Sequence, residues 1–141
     1  VKVDMKKNIL YISYIYGITV RDLIIKEGGG ISDKRARLNN NKKGKLQEYH
    51  NMMNRIDEAK KILKRVADSK LITDIYQRLH EIHRCGICVY DIKYGNILIE
   101  KKSKKPYFID FENSIDIQRT TKLIFSIYKK HDNFLMDVHL K

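Results

Sequence analysis

Apolar residues recur every three or four positions through the middle of the chain, which is the spacing of one buried helix face. This spacing predicts two helices, with the break between them at Asp68. Gly86 is expected to end the second helix, because glycine readily adopts the backbone conformation found just after helix ends. The apolar positions of the first helix are Ile56, Ala59, Leu63 and Val66. Those of the second helix are Ile72, Ile75, Leu79 and Ile82.

A strand-like pattern precedes these helices. Residues 9–15 are rich in Ile and Tyr, which predicts a buried strand, and Gly17 is expected to end it. Thr19 is a suitable N-cap for a short helix through Ile25, because its hydroxyl can accept a hydrogen bond from a helix N–H group. Residues 9–25 are therefore expected to form a strand followed by a helix.

Short strands replace the helical pattern in the last third of the chain. Residues 97–100 predict one strand, residues 101–105 a charged turn, and residues 107–109 a second strand. A further helix is expected over residues 115–128. Residues 49–141 are thus predicted to be a mainly helical core that contains one β-hairpin, which makes the fold class α+β.

Length and composition fit one soluble globular domain over residues 1–141. The 141 residues are 43% apolar and 33% charged, which excludes the disordered and fibrous classes. The longest apolar stretch without a charge, residues 9–20, is shorter than the roughly 20 residues that span a bilayer. Two cysteines are too few for a disulfide scaffold, so a reducing compartment and a cytoplasmic location are expected.

The chain is strongly basic, with 29 Lys and Arg against 17 Asp and Glu and a formal net charge of +12. Such a charge favours anionic partners, including nucleic acid, nucleotides and anionic lipid. Residues 26–48 are expected to form a flexible loop, and its stretch 34–45 is basic with no acidic residue. This stretch is a candidate nucleic-acid contact, and the alternative is a solvated loop without a partner. Its basic residues are Lys34, Arg35, Arg37, Lys42, Lys43 and Lys45.

The predicted hairpin brings chemically useful side chains together. Asn96 lies just before its first strand and Asp110 just after its second, so both are expected at its open end. Their Cα atoms would be about 5 Å apart if the two residues paired directly. Asp91 lies five residues before Asn96, and Lys93 lies beside them. Carboxylate and amide oxygens suit Mg²⁺ better than zinc, and a neighbouring lysine suits a phosphate ligand.

Three segments in this order resemble the protein-kinase-like phosphotransferases. Residues 83–98, HRCGICVYDIKYGNIL, resemble the catalytic loop of that superfamily, and residues 108–112, FIDFE, resemble its metal-binding D-F-G segment. Residues 12–23, ISYIYGITVRDL, resemble the hinge and the helix that follows it. The compact members are the most similar: the RIO type, the kinase of the KEOPS complex and the lipopolysaccharide kinases. The resemblance implies a kinase-like C-terminal lobe with a hinge strand and a catalytic hairpin.

The resemblance also implies a role for each matching residue. Asp91 would orient or deprotonate the attacking hydroxyl, and Lys93 would neutralise charge on the transferring phosphoryl group and contact ATP. Asn96 and Asp110 would hold Mg²⁺. Adenine would meet the backbone of the hinge, at Ser13, Tyr14, Ile15 and Tyr16.

The chain departs from the superfamily pattern in several places. Val89 replaces the loop histidine, Tyr90 replaces Arg or Gly, and Glu112 replaces the glycine of D-F-G. Only eight residues precede the predicted hinge strand, so the N-terminal lobe with its glycine-rich loop is expected to be absent. Whether the lobe catalyses unaided therefore stays open.

The expected function is ATP-dependent phosphotransfer to a hydroxyl, in the manner of a Ser/Thr protein kinase or a small-molecule kinase. The alternative is a truncated or degenerate kinase lobe that serves as a basic scaffold for a partner protein or RNA.

Simpler interpretations exist for the same residues. Asp91 and Asn96 are common turn residues, and Asp110 could cap a strand end. The spacing of Cys85 and Cys88 also allows a redox site or, with His80 and His83 nearby, a zinc site. Helical geometry argues against that site, because it would turn one of the two histidines towards the core. Two buried, inert thiols are therefore expected instead.

Overall fold

The computed structural model describes residues 2–4, 9–11, 15–28 and 45–141 of an α+β protein. The helices are α1 (Val20–Glu27), α2 (Lys45–Val66), α3 (Ser69–Arg84) and α4 (Lys122–Leu140). The strands are β1 (Lys2–Asp4), β2 (Ile9–Tyr11), β3 (Gly17–Thr19), β4 (Ile87–Cys88), β5 (Ile97–Glu100), β6 (Pro106–Phe108) and β7 (Ile115–Asp116). Single 3-10 turns lie at Tyr94–Asn96 and Ile117–Arg119.

The strands form small antiparallel sheets. β5 is the central strand of a three-stranded sheet, with β3 on one side and β6 on the other. β5 and β6 are the predicted hairpin, and Ile97 pairs with Phe108. β4 and β7 pair with each other, as do β1 and β2. The segment that joins β4 to β5, residues 89–96, thus has a paired strand at each of its ends.

Side-chain caps fix where the helices begin. The hydroxyl of Thr19 accepts a hydrogen bond of 3.0 Å from the Asp22 N–H at the start of α1, which confirms the predicted cap. A carboxylate oxygen of Asp68 accepts one of 2.6 Å from the Leu71 N–H at the start of α3. Thr121 does the same for α4. Since each cap satisfies a helix N–H group that has no partner inside the helix, each sets the first turn of its helix.

The helices and the three-stranded sheet enclose one hydrophobic core. The apolar face of α3 lies at its centre, with Ile75 and Leu79 almost fully buried. The other elements contribute Val20, Ile24, Leu63, Ile97, Met136 and Leu140. Burial of such side chains is worth about 1.5–3 kcal/mol each, so the helical spacing that predicts α2 and α3 is also what holds them to the sheet. Among the described residues, none of the helices combines the length and the apolar character that crossing a lipid bilayer requires.

Three predicted boundaries are wrong. Gly17 begins strand β3 instead of ending a strand. Because it has no side chain, its backbone can approach that of Ile99 closely and pair with β5. The second hairpin strand is Pro106–Phe108, one residue earlier than predicted. The last helix starts at Lys122, not at residue 115, because Ile115–Asp116 pairs with β4 and Thr121 supplies the cap.

The predicted flexible loop 26–48 is also too long. Its first residues belong to the end of α1, and residues 45–48 form the start of α2. The basic positions 34–43 lie outside the described residues, as do residues 12–14 of the predicted hinge strand.

Substitution of Gly17 by alanine is expected to destabilise the sheet. An alanine Cβ would lie 2.2 Å from the carbonyl oxygen of Ile99, and a backbone atom in a paired strand cannot move away easily. We expect a loss of about 1–3 kcal/mol in the free energy of unfolding, measured by urea denaturation. Gly95→Ala is the control, because its Cβ would meet only the Arg21 side chain at an ordinary 3.9 Å. An equal effect of both changes would contradict this account.

Candidate active site

The segment between β4 and β5, residues 89–96, carries the predicted catalytic residues and is called the site loop below. Two of its own hydrogen bonds shape it: the Asp91 N–H donates to the carbonyl of Val89, and the Asn96 N–H donates to the carbonyl of Lys93, both at 2.9 Å. Tyr90 has a φ of 69°, which turns the chain sharply just before Asp91. This turn points the following residues towards the open end of the hairpin.

Asp91, Lys93 and Asn96 form one hydrogen-bonded cluster. The Lys93 ammonium donates to Oδ2 of Asp91 at 2.6 Å. The Asn96 amide nitrogen donates to the same Oδ2 at 3.1 Å and to the Asp91 carbonyl at 3.0 Å. Asn96 is buried, whereas the side chain of Lys93 is half exposed. The carboxylate of Asp91 is therefore held from the protein side by Asn96 and faces solvent on the side of Lys93.

Asp110 lies near this cluster, two residues after the end of β6. The Ile109 N–H donates to the Asn96 carbonyl at 2.9 Å, so Asn96 is paired with Ile109. Asp110 is the next residue after Ile109 and is therefore not directly opposite Asn96. Asp110 has a φ of 65° and is exposed, so its side chain does not follow the alternation of the strand. The hydrogen bond from Lys93 to Asp91, with the attraction of Asp91 and Asp110, raises the pKa of Lys93 above its ordinary value.

A buried carboxylate on α4 holds the base of the site loop. Asp132 is fully buried, and its Oδ2 lies 2.8 Å from both His83 Nε2 and the backbone nitrogen of Val89. Its Oδ1 accepts from the Tyr90 N–H, also at 2.8 Å. Asp132 therefore ties the end of α3 and the start of the site loop to α4, directly before Asp91.

Sequence reasoning missed Asp132, although the sequence carries a signal for it. The buried positions of α4 repeat at helical spacing through Phe125, Asp132, Met136 and Leu140. A charged residue in such a stripe is seldom fully buried without partners. An aspartate within the apolar face of a helix therefore indicates a hydrogen-bonding target elsewhere in the core.

The two residues that depart from the catalytic-loop pattern are both packed into this arrangement. Val89 is fully buried in the core. Tyr90 is exposed, and its ring stacks on His131 with the centroids 5.2 Å apart. It also meets Tyr128 edge-on, at 5.5 Å. Aromatic contacts to α4 thus support the site loop at the position where the pattern has Arg or Gly.

Only half of the predicted adenine contact lies within the described residues. Ser13 and Tyr14 lie outside them, while Ile15 and Tyr16 directly precede β3. The Tyr16 carbonyl accepts a 2.9 Å hydrogen bond from the Lys101 N–H, and the Lys101 ammonium lies 5.0 Å from the centre of the Tyr16 ring. This backbone carbonyl is therefore already engaged within the fold.

The cysteines do not form the zinc arrangement that their spacing allows. Cys85 and His80 are exposed, whereas Cys88 and His83 are buried, so the expectation of two buried thiols is wrong for Cys85. Ligand atoms of His83, Cys88 and Asp132 lie within 4.8 Å of one another. The Asp132 oxygens already hold His83 and two backbone N–H groups, and Cys88 donates to the Phe125 carbonyl. The cluster is thus a complete hydrogen-bond network without a metal.

Comparison with known proteins gives one weak similarity. The chain is 29% identical over 73 residues to "Altered inheritance of mitochondria protein 9, mitochondrial" from Clavispora lusitaniae. The match covers 46% of this chain and 12% of the relative. No known family model matches the chain, and no solved structure matches it. The candidate site is therefore interpreted from its own geometry.

Replacement of Asp132 by alanine is expected to be among the most destabilising changes in the chain. It would leave two backbone N–H groups and His83 buried without their acceptor, which costs about 3–5 kcal/mol in comparable buried networks. Urea denaturation measures the loss. Asp137→Ala is the control, because Asp137 is exposed on the same helix and its contacts with Tyr76 and Lys141 are exposed ones. A loss below about 1 kcal/mol, the usual size for an exposed pair, would contradict this role for Asp132.

The two cysteines are expected to react very differently. Burial raises the pKa of Cys88 to about 11, so little thiolate forms at pH 8, and the side chain is also shielded. Iodoacetamide at that pH should modify the folded protein at Cys85 alone, and the urea-unfolded protein at both positions. Peptide mass spectrometry distinguishes the two products. Equal labelling of both thiols in the folded protein would show that Cys88 is accessible.

Proposed function

We propose that this chain is the C-terminal lobe of a protein-kinase-like phosphotransferase, which passes the γ-phosphate of Mg-ATP to a hydroxyl group. The observation that carries the proposal is the cluster of Asp91, Lys93, Asn96 and Asp110 at the open end of the β5–β6 hairpin. These four residues occur in the order and spacing of the motifs that the sequence resembles. The convergence of Lys93 with both carboxylates supports reading them as one site.

The donor atoms of the cluster suit Mg²⁺. Because the Asn96 amide nitrogen donates to Asp91, its oxygen Oδ1 is the atom left for a cation. Asp110 supplies a carboxylate from an exposed position two residues after β6. A set made only of oxygen donors fits a hard cation. Asn96 and Asp110 would therefore hold the ion, which screens the charge of the phosphates when bound.

Asp91 and Lys93 would carry the transfer itself. The acceptor hydroxyl attacks the γ-phosphorus and forms a new P–O bond, while the bond to the bridging oxygen breaks and ADP leaves with that electron pair. Asp91 receives the hydroxyl proton. Lys93, on the solvent side of Asp91, places its positive charge where the phosphoryl group passes. Since such a reaction needs little covalent help from the protein, positioning and charge account for most of the catalysis.

The basic character of the chain supports the same proposal, because Mg-ATP and phosphorylated products are anionic. We place the reaction in the cytoplasm. The competing function is a binding module for a partner protein or RNA, in which the cluster no longer serves nucleotide. The two functions differ in whether Asp110 matters for Mg-ATP.

Mg-ATP is expected to raise the melting temperature of the purified chain. A ligand at about 100 times its Kd adds roughly 2.7 kcal/mol of stability, which is a shift of several degrees in a domain of this size. Asp110→Ala should remove the shift, because it deletes a ligand of the ion. Differential scanning fluorimetry with Mg-ATP, ATP plus EDTA, and Mg²⁺ alone separates the contributions.

Asp57→Ala is the matched control, since Asp57 is an exposed aspartate on α2 outside the cluster. It should keep the full shift. If Mg-ATP gives no shift with either protein, the binding module becomes the better account of this chain.

A further inference from the structure

A pocket of about 330 Å³ lies directly beside the site loop, between helices α1 and α2. Lys93, Tyr94 and Gly95 of the site loop form one of its walls. Its size falls at the lower end of the range for small-molecule sites, about 300–1,000 Å³. The pocket therefore has the volume for a small organic molecule rather than for a folded partner.

The helices give the pocket an apolar lining. Adjacent turns of α1 and α2 contribute Ile24, Ile25, Met52, Ile56 and Ala59. On the opposite side, the rings of Tyr94 and His139 meet edge-on at 4.8 Å, and the Tyr94 hydroxyl donates to the His139 carbonyl at 2.6 Å. This contact ties the pocket wall to α4, which favours a preformed cavity for a flat apolar group.

The charged side chains that line the pocket are basic, although Asp91 pairs with one of them, Lys93, and Asp57 lies near the lining residue Tyr94. Arg21, Arg55 and Lys93 line it, and none of the described residues that line it is acidic. Arg55 forms no ion pair with any described residue. A cavity with apolar walls and cationic groups is complementary to a ligand that has an apolar body and a negative charge.

Lys93 connects this pocket to the candidate catalytic carboxylate. Lys93 is one of the lining residues, and its ammonium group donates to Asp91 Oδ2 at 2.6 Å. Asp91 does not itself line the pocket, so a molecule there would reach its partly exposed carboxylate beside Lys93. The pocket and the four-residue cluster share one lysine but otherwise use different residues.

We propose that the pocket binds the phosphate acceptor, and that this acceptor is a small organic anion with an apolar body and a hydroxyl group facing Asp91. The role as acceptor rests on the proposed phosphotransfer. The binding of an apolar anion rests only on the pocket and can be tested without nucleotide.

Binding can be measured with the fluorescent carboxylate dansylglycine and its uncharged analogue dansylglycinamide. The chain contains no tryptophan, so protein emission does not overlap strongly with the probe. We expect dansylglycine to bind at least about tenfold more tightly than the amide, because one charge-assisted hydrogen bond has that effect. The titration uses the full chain without Mg-ATP.

Substitutions of lining residues test whether the probe binds in the pocket. Arg55→Gln should weaken dansylglycine by about tenfold, whereas Arg65→Gln, an exposed arginine of the same helix outside the pocket, should leave the Kd within about twofold. Ile25→Glu should weaken it further by placing a like charge in the lining. Leu123→Glu, an exposed apolar residue on α4, is the matched control. Circular dichroism spectra of all variants verify that they are folded.

The outcomes separate this proposal from the proposed function. Binding that prefers the anion, weakens about tenfold in Arg55→Gln and survives in Asp110→Ala supports the pocket, whatever the result with Mg-ATP. Equal affinity for both probes, no binding at about 1 mM probe, or indifference to both Arg55→Gln and Ile25→Glu overturns it. In each of those cases, a melting-temperature shift with Mg-ATP that depends on Asp110 would still support the proposed function.

Discussion

The buried carboxylate of Asp132 is the interaction on which the candidate site depends. It forms hydrogen bonds of 2.8 Å with the imidazole of His83, at the end of α3, and with the backbone N–H groups of Val89 and Tyr90, the first residues of the site loop. A buried charge is costly unless its partners satisfy it, so the chain has few arrangements that leave Asp132 in the core. Because the loop must come to the carboxylate, Asp91 is fixed directly after Tyr90, the last of these contacts.

The hairpin provides the second half of that constraint. Backbone pairing holds Asn96 opposite Ile109, and the positive φ of Asp110 then turns the chain out of the strand. Asn96 is fixed in turn by donating to Asp91, so the loop and the hairpin are joined through one amide group. Two carboxylates at such a site repel each other, and Lys93 lies near both. The two carboxylates concentrate negative charge at one point of a basic protein, and among the described residues Lys93 is the cation that forms an ion pair there.

The features that sequence reasoning predicted correctly are local ones. The Thr19 cap, the break at Asp68 and the first hairpin strand depend on residues within a few positions of each other, where side-chain type and spacing decide the outcome. The misses are long-range. His83 and Asp132 are 49 positions apart, and Ile115–Asp116 became a strand only because β4 lies beside it. The close approach of Gly17 to Ile99 and the pocket between α1 and α2 likewise exist only after the elements have packed.

Lys93 takes part in the turn of the site loop, in the Asp91 cluster and in the pocket. Its backbone carbonyl accepts the hydrogen bond that starts the 3-10 turn, its ammonium pairs with Asp91, and its side chain lines the pocket. A lysine on a mobile loop would lose most of the benefit of such contacts to the entropy of ordering it. Here the site loop is already ordered by the hydrogen bonds of Asp132 to its first residues and by the backbone pairing of Asn96 in the hairpin. The position of the charge is therefore set by the fold before any ligand arrives, which is the condition under which Lys93 would best stabilise charge in the proposed phosphoryl transfer.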